Sequence, residues 1–198
     1  LKINKEKCIW IHCASLGEYE YVKPLIPELK RINPLITITF FSPSGYENFK
    51  DFDLIDQISY LPFDIKRNIV KFTNTINPMM VLVAKNEIWP NMINCLEQKK
   101  IPLFLIGFKI KKDKIKNWLI KKYYMNYVPK FRHIFCQDKF TYTFLNLNNV
   151  SQLSIIEDTR INQVLNDAKK SLDDKLIQSF TKNKKKTIIY GSIEEEDY

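Results

Sequence analysis

Short apolar runs alternate with stretches of helical period along most of this chain. The runs Cys8–His12, Leu35–Phe41, Gln57–Tyr60, Met79–Ala84, Ile101–Gly107, His133–Cys136 and Ser151–Ile155 predict strands, and Thr187–Tyr190 predicts one more. Helices are predicted over Gly17–Asn33, Ile65–Ile76, Trp89–Lys99, Lys114–Val128 and Lys139–Leu147, and over Arg160–Lys182 with a break. Such alternation predicts an α/β fold, a parallel sheet with helices on both faces. In the first helix Val22, Leu25, Ile26 and Leu29 form one buried stripe. Pro24 and Pro27 interrupt it, which predicts a kink or a two-part helix.

A boundary is expected after the Ser151–Ile155 strand. Residues 1–157 read as one domain and 158–186 as a polar, helical connector. Lys184, Lys185 and Lys186 lead into Thr187–Tyr190 and a Gly191-Ser192 turn. Residues 187–198 therefore read as the first strand and turn of a truncated second domain. The chain opens at Leu1 and stops soon after that turn, so both ends read as cut.

Composition narrows the class. Of 198 residues 45% are hydrophobic, with thirteen Phe and ten Tyr, which suits a packed core rather than a disordered chain. The net charge of +9 favours an anionic partner: phosphate, nucleic acid or an acidic membrane surface. Cys8, Cys13, Cys95 and Cys136 form no C-x-x-C pair, and His12 and His133 are the only histidines. That argues against a zinc site and for free thiols in a reducing compartment. No run reaches the roughly 18 apolar residues of a membrane span, and no signal peptide is evident.

The segment Ile9–Glu18 carries the strongest chemical signal. A strand enters a turn of mostly small residues, His12 to Gly17, and Glu18 follows at a helix start. Open α/β sheets build their sites at such strand ends, which makes Glu18 a candidate general base. Ser15 and Glu18 also match the capping box Ser-x-x-Glu. Glu87 follows the Met79–Ala84 run in the same way, beside Trp89, Pro90 and Asn91. It reads either as a placed carboxylate or as part of a helix start. Ser44 and Gly45 offer a hydroxyl and backbone N–H groups at a helix start, suited to an anion, or an ordinary capped turn. Asp64 reads as the cap of the helix that follows it. Arg160 suits a phosphate or a salt bridge, and Gly191 and Ser192 present backbone N–H groups after the last strand. Lys109–Lys122 interleaves lysines with Ile110, Ile115, Trp118, Leu119 and Ile120. It reads as a solvated helix with one packed face, or as a stretch lying on an anionic membrane.

Taken together these segments resemble the bacterial 3-deoxy-D-manno-octulosonic acid (Kdo) transferases. The likeness rests on H-x-x-S-x-G-E at His12, Ser15, Gly17 and Glu18, and on E-hydrophobic-W-P-N at Glu87, Trp89, Pro90 and Asn91. S-x-S-G and L-P-F-D lie between these two motifs and I-P, D-T-R and G-S come after them, all in family order. The resemblance implies an inverting glycosyltransferase of GT-B fold, with two Rossmann-like domains facing across a cleft. It implies CMP-Kdo as donor and a lipid A precursor as acceptor, with no cofactor and no metal. It places the enzyme at the cytoplasmic face of the inner membrane, usually behind an N-terminal anchor. Glu18 then matches the catalytic base. His12, Ser15, Gly17, Ser44, Gly45 and Glu87 fall on the acceptor side, and Arg160, Gly191 and Ser192 on the donor side. This sequence departs from the common family pattern at Lys85, Lys109, Glu157, Asn162 and Ile193. Lys85 stands where the common form has a second acid.

Two other functions fit less of the sequence. A GT-B transferase with another acceptor does not explain the Ser-x-Gly-Glu and Glu-Ile-Trp-Pro-Asn pair. A non-catalytic basic α/β module that binds nucleic acid needs stacking aromatics beside its lysines. The aromatics here fall mostly at core-like positions, so no nucleic-acid partner is expected.

Overall fold

The computed structural model describes residues 6–159, 161, 179–182, 186 and 188. Arg160, Gly191 and Ser192, all of the Thr187–Tyr190 strand but Ile188, and most of the Arg160–Lys182 helix lie outside the described residues. The chain divides into two compact units, Leu1–Gln163 and Val164–Tyr198. In the second, residues 179–181 are helical.

Seven strands of the first unit form one sheet. They are β1 (Cys8–Cys13), β2 (Ile36–Phe40), β3 (Gln57–Tyr60), β4 (Pro78–Ala84), β5 (Leu103–Phe108), β6 (His133–Cys136) and β7 (Leu153–Ile155). Their spatial order is β3-β2-β1-β4-β5-β6-β7 and every pairing is parallel. The helices are α1 (Leu16–Val22), α2 (Ile26–Ile32), α3 (Pro43–Glu47), α4 (Lys66–Ile76), α5 (Pro90–Gln98), α6 (Lys112–Ile115), α7 (Trp118–Tyr127) and α8 (Lys139–Leu147).

All six residues of β1 are buried, because the strand lies mid-sheet with helices on both sides. Its side chains alternate between two cores. Ile9, Ile11 and Cys13 join Tyr19, Tyr21, Val22 and Ile26 on one face. Cys8 and Trp10 join Ile69, Phe72, Met92 and Leu96 on the other. Each large side chain so buried contributes roughly 1.5–3 kcal/mol of transfer free energy.

The proline pair in the first helix acts as predicted. A 3₁₀ turn over Lys23–Leu25 separates α1 from α2, and the prolines fall in first turns, where no N–H is needed. The single helix expected over Lys114–Val128 is instead two. Asn117 stops the first, and its side chain accepts from Leu119 N–H at 2.9 Å to cap α7. The short α3 opens at Pro43, one residue before the helix start expected at Ser44 and Gly45.

Candidate functional site

The chain moves outward from β1 to β2 and β3, then crosses back to place β4 on the other side of β1. That reversal is a topological switch point. In open parallel sheets it opens a crevice beyond the strand C-termini. Glu18 follows β1 and Glu87 follows β4, so the two carboxylates that sequence alone singled out share this crevice.

Glu18 is half-buried in the first turn of α1. Its Oε2 accepts from the Ala14 N–H at 2.6 Å. Ser15 is the N-cap by backbone geometry, but its side chain accepts nothing from the helix. The capping-box reading therefore fails here: Glu18 reaches one residue too far back, and Ser15 does not reciprocate. Burial pushes the Glu18 carboxyl up to about 7. The Ala14 N–H opposes this, the neighbouring Glu87 charge adds to it, and Lys85 again opposes. Burial, Glu18 and Glu87 also push the Cys13 thiol well up, which keeps it an inert core residue.

Glu87 is held by the motif it belongs to. The Trp89 indole donates to Glu87 Oε2 at 2.9 Å. Trp89 is fixed against Phe41, with ring centroids 4.9 Å apart, and meets the His12 ring edge-on at 5.9 Å. His12 is fully buried, and its Nε2 faces the same Glu87 oxygen at 3.9 Å. Pro90 opens α5, and the Tyr123 hydroxyl ties the preceding turn down at Ile88 O, 2.7 Å.

Asp64 corrects an expectation. It does not cap the helix after it, whose N-cap is Ile65. Its two carboxylate oxygens accept from the Asn91 and Met92 N–H groups, each at 2.9 Å. Asp64 thus caps α5 across space and locks the W-P-N turn to the loop after β3. Sequence spacing conveys only local caps, so this one was invisible.

Lys85 takes a left-handed backbone, φ 58°. Its ammonium lies 3.5 Å above the centre of the Tyr21 ring and donates to Gln137 Oε1 at 3.2 Å. Gln137 in turn donates to Asp158 Oδ2 at 3.2 Å. Thr159, next in the chain, donates its hydroxyl to Tyr21 O. Lys85 is thus a cation embedded in a polar chain that runs to the D-T-R segment.

The remaining candidates are placed differently. Ser15 and Gly17 sit at the rim, Gly17 exposed. Ser44 Oγ is 2.8 Å from Ser42 Oγ. Gly45 is buried, its N–H donates to Ser42 O at 3.1 Å, and a Cβ there would run into the Phe40 ring. Close packing therefore explains this glycine, and its N–H is already used. Sequence reasoning missed Thr39 and Trp10, which bond to each other beneath His12. Two threonines inside the buried run Ile36–Phe40 were the available signal.

The family model described as 3-deoxy-D-manno-octulosonic-acid transferase (kdotransferase) matches residues 2–163. The chain belongs to this family. It is 35% identical over 106 residues to a 3-deoxy-D-manno-octulosonic acid transferase of Haemophilus influenzae, covering 52% of this chain and 25% of that one. It is 31% identical over 121 residues to the corresponding protein of Aquifex aeolicus, covering 61% and 33%. The matched segment thus spans a quarter to a third of those relatives. A solved UDP-GlcNAc 2-epimerase from Neisseria meningitidis aligns with TM-score 0.62 at 14% identity, over 89% of this chain and 53% of that one. This likeness concerns the fold, and the sheet is the N-terminal half of a GT-B fold. The Kdo-transferase family match and the GT-B half agree with the resemblance seen in the sequence motifs.

Proposed function

We propose that the enzyme carrying this chain transfers Kdo from CMP-Kdo to a lipid A precursor at the cytoplasmic face of the bacterial inner membrane. Residues 1–157 form its acceptor domain, 158–186 the connector and 187–198 the start of its donor domain. The observation that carries this reading is a half-buried carboxyl, Glu18, raised to about 7 at the switch-point crevice and set beside the W-P-N carboxylate Glu87.

The chemistry asks for little else. An acceptor hydroxyl oxygen attacks the anomeric carbon of Kdo and its proton passes to Glu18. The bond from that carbon to the CMP phosphate breaks, and CMP leaves with the electron pair. A base near neutral pKa suits this task, since it is both deprotonated and basic enough at neutral pH. His12 and Glu87 shape the acceptor side, with Ser15, Gly17 and Ser44 around its rim. Arg160, Gly191 and Ser192 serve the donor phosphate. In the complete enzyme, CMP release from CMP-Kdo is expected to depend on added lipid A precursor. Release that needs no acceptor, or incorporation into a different acceptor only, would overturn the reading.

An anionic membrane surface is the third partner. Among the described residues no helix is long and apolar enough to cross a membrane. The Lys109–Lys122 stretch does not form one interfacial helix. Ile110 is buried, and Ile115 and Ile120 pack against the core. Trp118 and Leu119 point outward, 67% and 57% exposed, amid exposed Lys111, Lys112, Lys114, Lys116, Lys121 and Lys122. This stretch follows the C-terminus of β5, at the end of the sheet beyond which the crevice opens. The chain is expected to bind anionic vesicles in a salt-sensitive way, each lysine near the surface contributing about 1 kcal/mol. Equal binding to neutral vesicles at low salt would remove the electrostatic basis.

A further inference from the structure

Thr39 lies fully buried in β2, outside every motif that marks the family resemblance. Its Oγ1 is 2.8 Å from Trp10 Nε1 and 3.0 Å from His12 Nδ1. An indole nitrogen only donates, so Thr39 accepts there. Its hydroxyl hydrogen then has one recorded acceptor among the described residues, His12 Nδ1. A neutral imidazole that accepts at Nδ1 carries its proton at Nε2. Nε2 is buried, has no hydrogen-bond partner among the described residues, and faces Glu87 Oε2 at 3.9 Å. That is about 1 Å beyond an ordinary N–H···O bond. The same oxygen already accepts from the Trp89 indole.

We propose that Thr39 is a positioning residue: its hydroxyl fixes the His12 proton on Nε2, and that N–H, with the Trp89 indole, aims the Glu87 carboxylate into the acceptor crevice. This rests on the reading of Glu87 as an acceptor-site group. Thr39 touches no substrate. His12 and Thr39 are paired neighbours in adjacent strands, so strand register sets their geometry rather than a loop. His12, with no exposed surface, then acts on the acceptor through Glu87 rather than by contact. Valine has the shape of threonine but neither accepts from Trp10 nor donates to His12. Serine keeps both bonds.

Long-range proton–nitrogen NMR of the His12 ring in the 198-residue chain tests the relay directly. A protonated Nε2 with a bare Nδ1 is expected at neutral pH. A proton on Nδ1, alone or with one on Nε2, overturns the proposal. The Trp89 indole N–H resonance reports its bond to Glu87. Thr39→Val is expected to shift it and Thr39→Ser to leave it near the wild-type position. An unmoved Trp89 signal in a folded Thr39→Val chain overturns the link to Glu87. Should that variant not fold, the wild-type ring spectrum and the serine variant still decide. In the complete enzyme, Thr39→Val is expected to lower kcat/KM for the acceptor by about tenfold, with recovery in Thr39→Ser. An intact NMR relay combined with full activity in both Thr39→Val and Glu87→Gln would instead locate the failure in the acceptor-site reading.

Discussion

Glu18→Gln in the complete enzyme is expected to lower the rate of Kdo transfer by about 10²–10⁴-fold, the usual loss for a positioned base. Glutamine keeps the size and still accepts from the Ala14 N–H, so the turn after β1 should hold. The wild-type rate should rise with pH and level off as pH passes about 7, because burial raises the Glu18 carboxyl to that value. That limb should vanish in the variant. Stability should move the other way. A carboxyl whose folded value lies above its ordinary 4.5 stabilises the fold while protonated. The contribution is complete below about 4.5 and lost as pH rises through about 7. Above neutrality the wild type therefore holds a half-buried charge that glutamine lacks. Glu18→Gln should gain on the order of 1–2 kcal/mol near pH 8 after discounting for solvent screening, and little at low pH. Near-normal transfer by the variant would pass the role of base to Glu87. A structural role alone predicts the melt shift without the rate loss.

Gly107→Ala is expected to be the most damaging small substitution to stability, by about 2–4 kcal/mol. Gly107 has φ +72° in β5, where a side chain costs about 1–2 kcal/mol. A Cβ there would also lie 2.5 Å from the Tyr21 ring, and overpacking of this kind costs about 1–3 kcal/mol. For a chain of this length the melt should fall by roughly 5–15 °C. Tyr21 carries the Lys85 ammonium on its face, so the same methyl should disturb the site electrostatics. Gly17→Ala is the control: a Cβ there finds Ser15 Oγ only at 4.0 Å, and little change is expected. A Gly107→Ala melt within about 2 °C of wild type would refute the packing account.

The parallel sheet was legible because its central strands, β1 and β4 foremost, are buried on both faces over most of their length and therefore read as apolar runs. The two carboxylates were legible because each follows such a run directly. What stayed hidden depends on contacts between distant residues. The Asp64 bonds to α5 span 27 and 28 positions, and no local pattern announces them. The break at Asn117 was hidden by lysines on both sides, which propagate helix well in sequence terms. Gly45 read as an anion-binding residue because glycine suits close backbone approach. In the fold the thing that approaches is the Phe40 ring. Thr39 and Trp10 looked like ordinary strand residues until the register placed them around His12.

The left-handed turn at Lys85 has a consequence for exchanging parts between relatives. It presents Asn86 edge-on to the strand-end peptide of β5: Asn86 Nδ2 donates to Lys109 O at 2.7 Å, and Lys109 N–H donates to Asn86 Oδ1 at 3.1 Å. One side-chain amide thus mimics a rung of the ladder just where the two strands stop pairing. The loops after β4 and β5 are in effect a single interchangeable cassette. A chimera that imports one loop from another transferase without the other trades this paired rung for two open backbone groups at the crevice floor. Swaps that move both loops together are expected to keep the floor intact, and they are the natural unit for exchanging this part of the crevice between relatives.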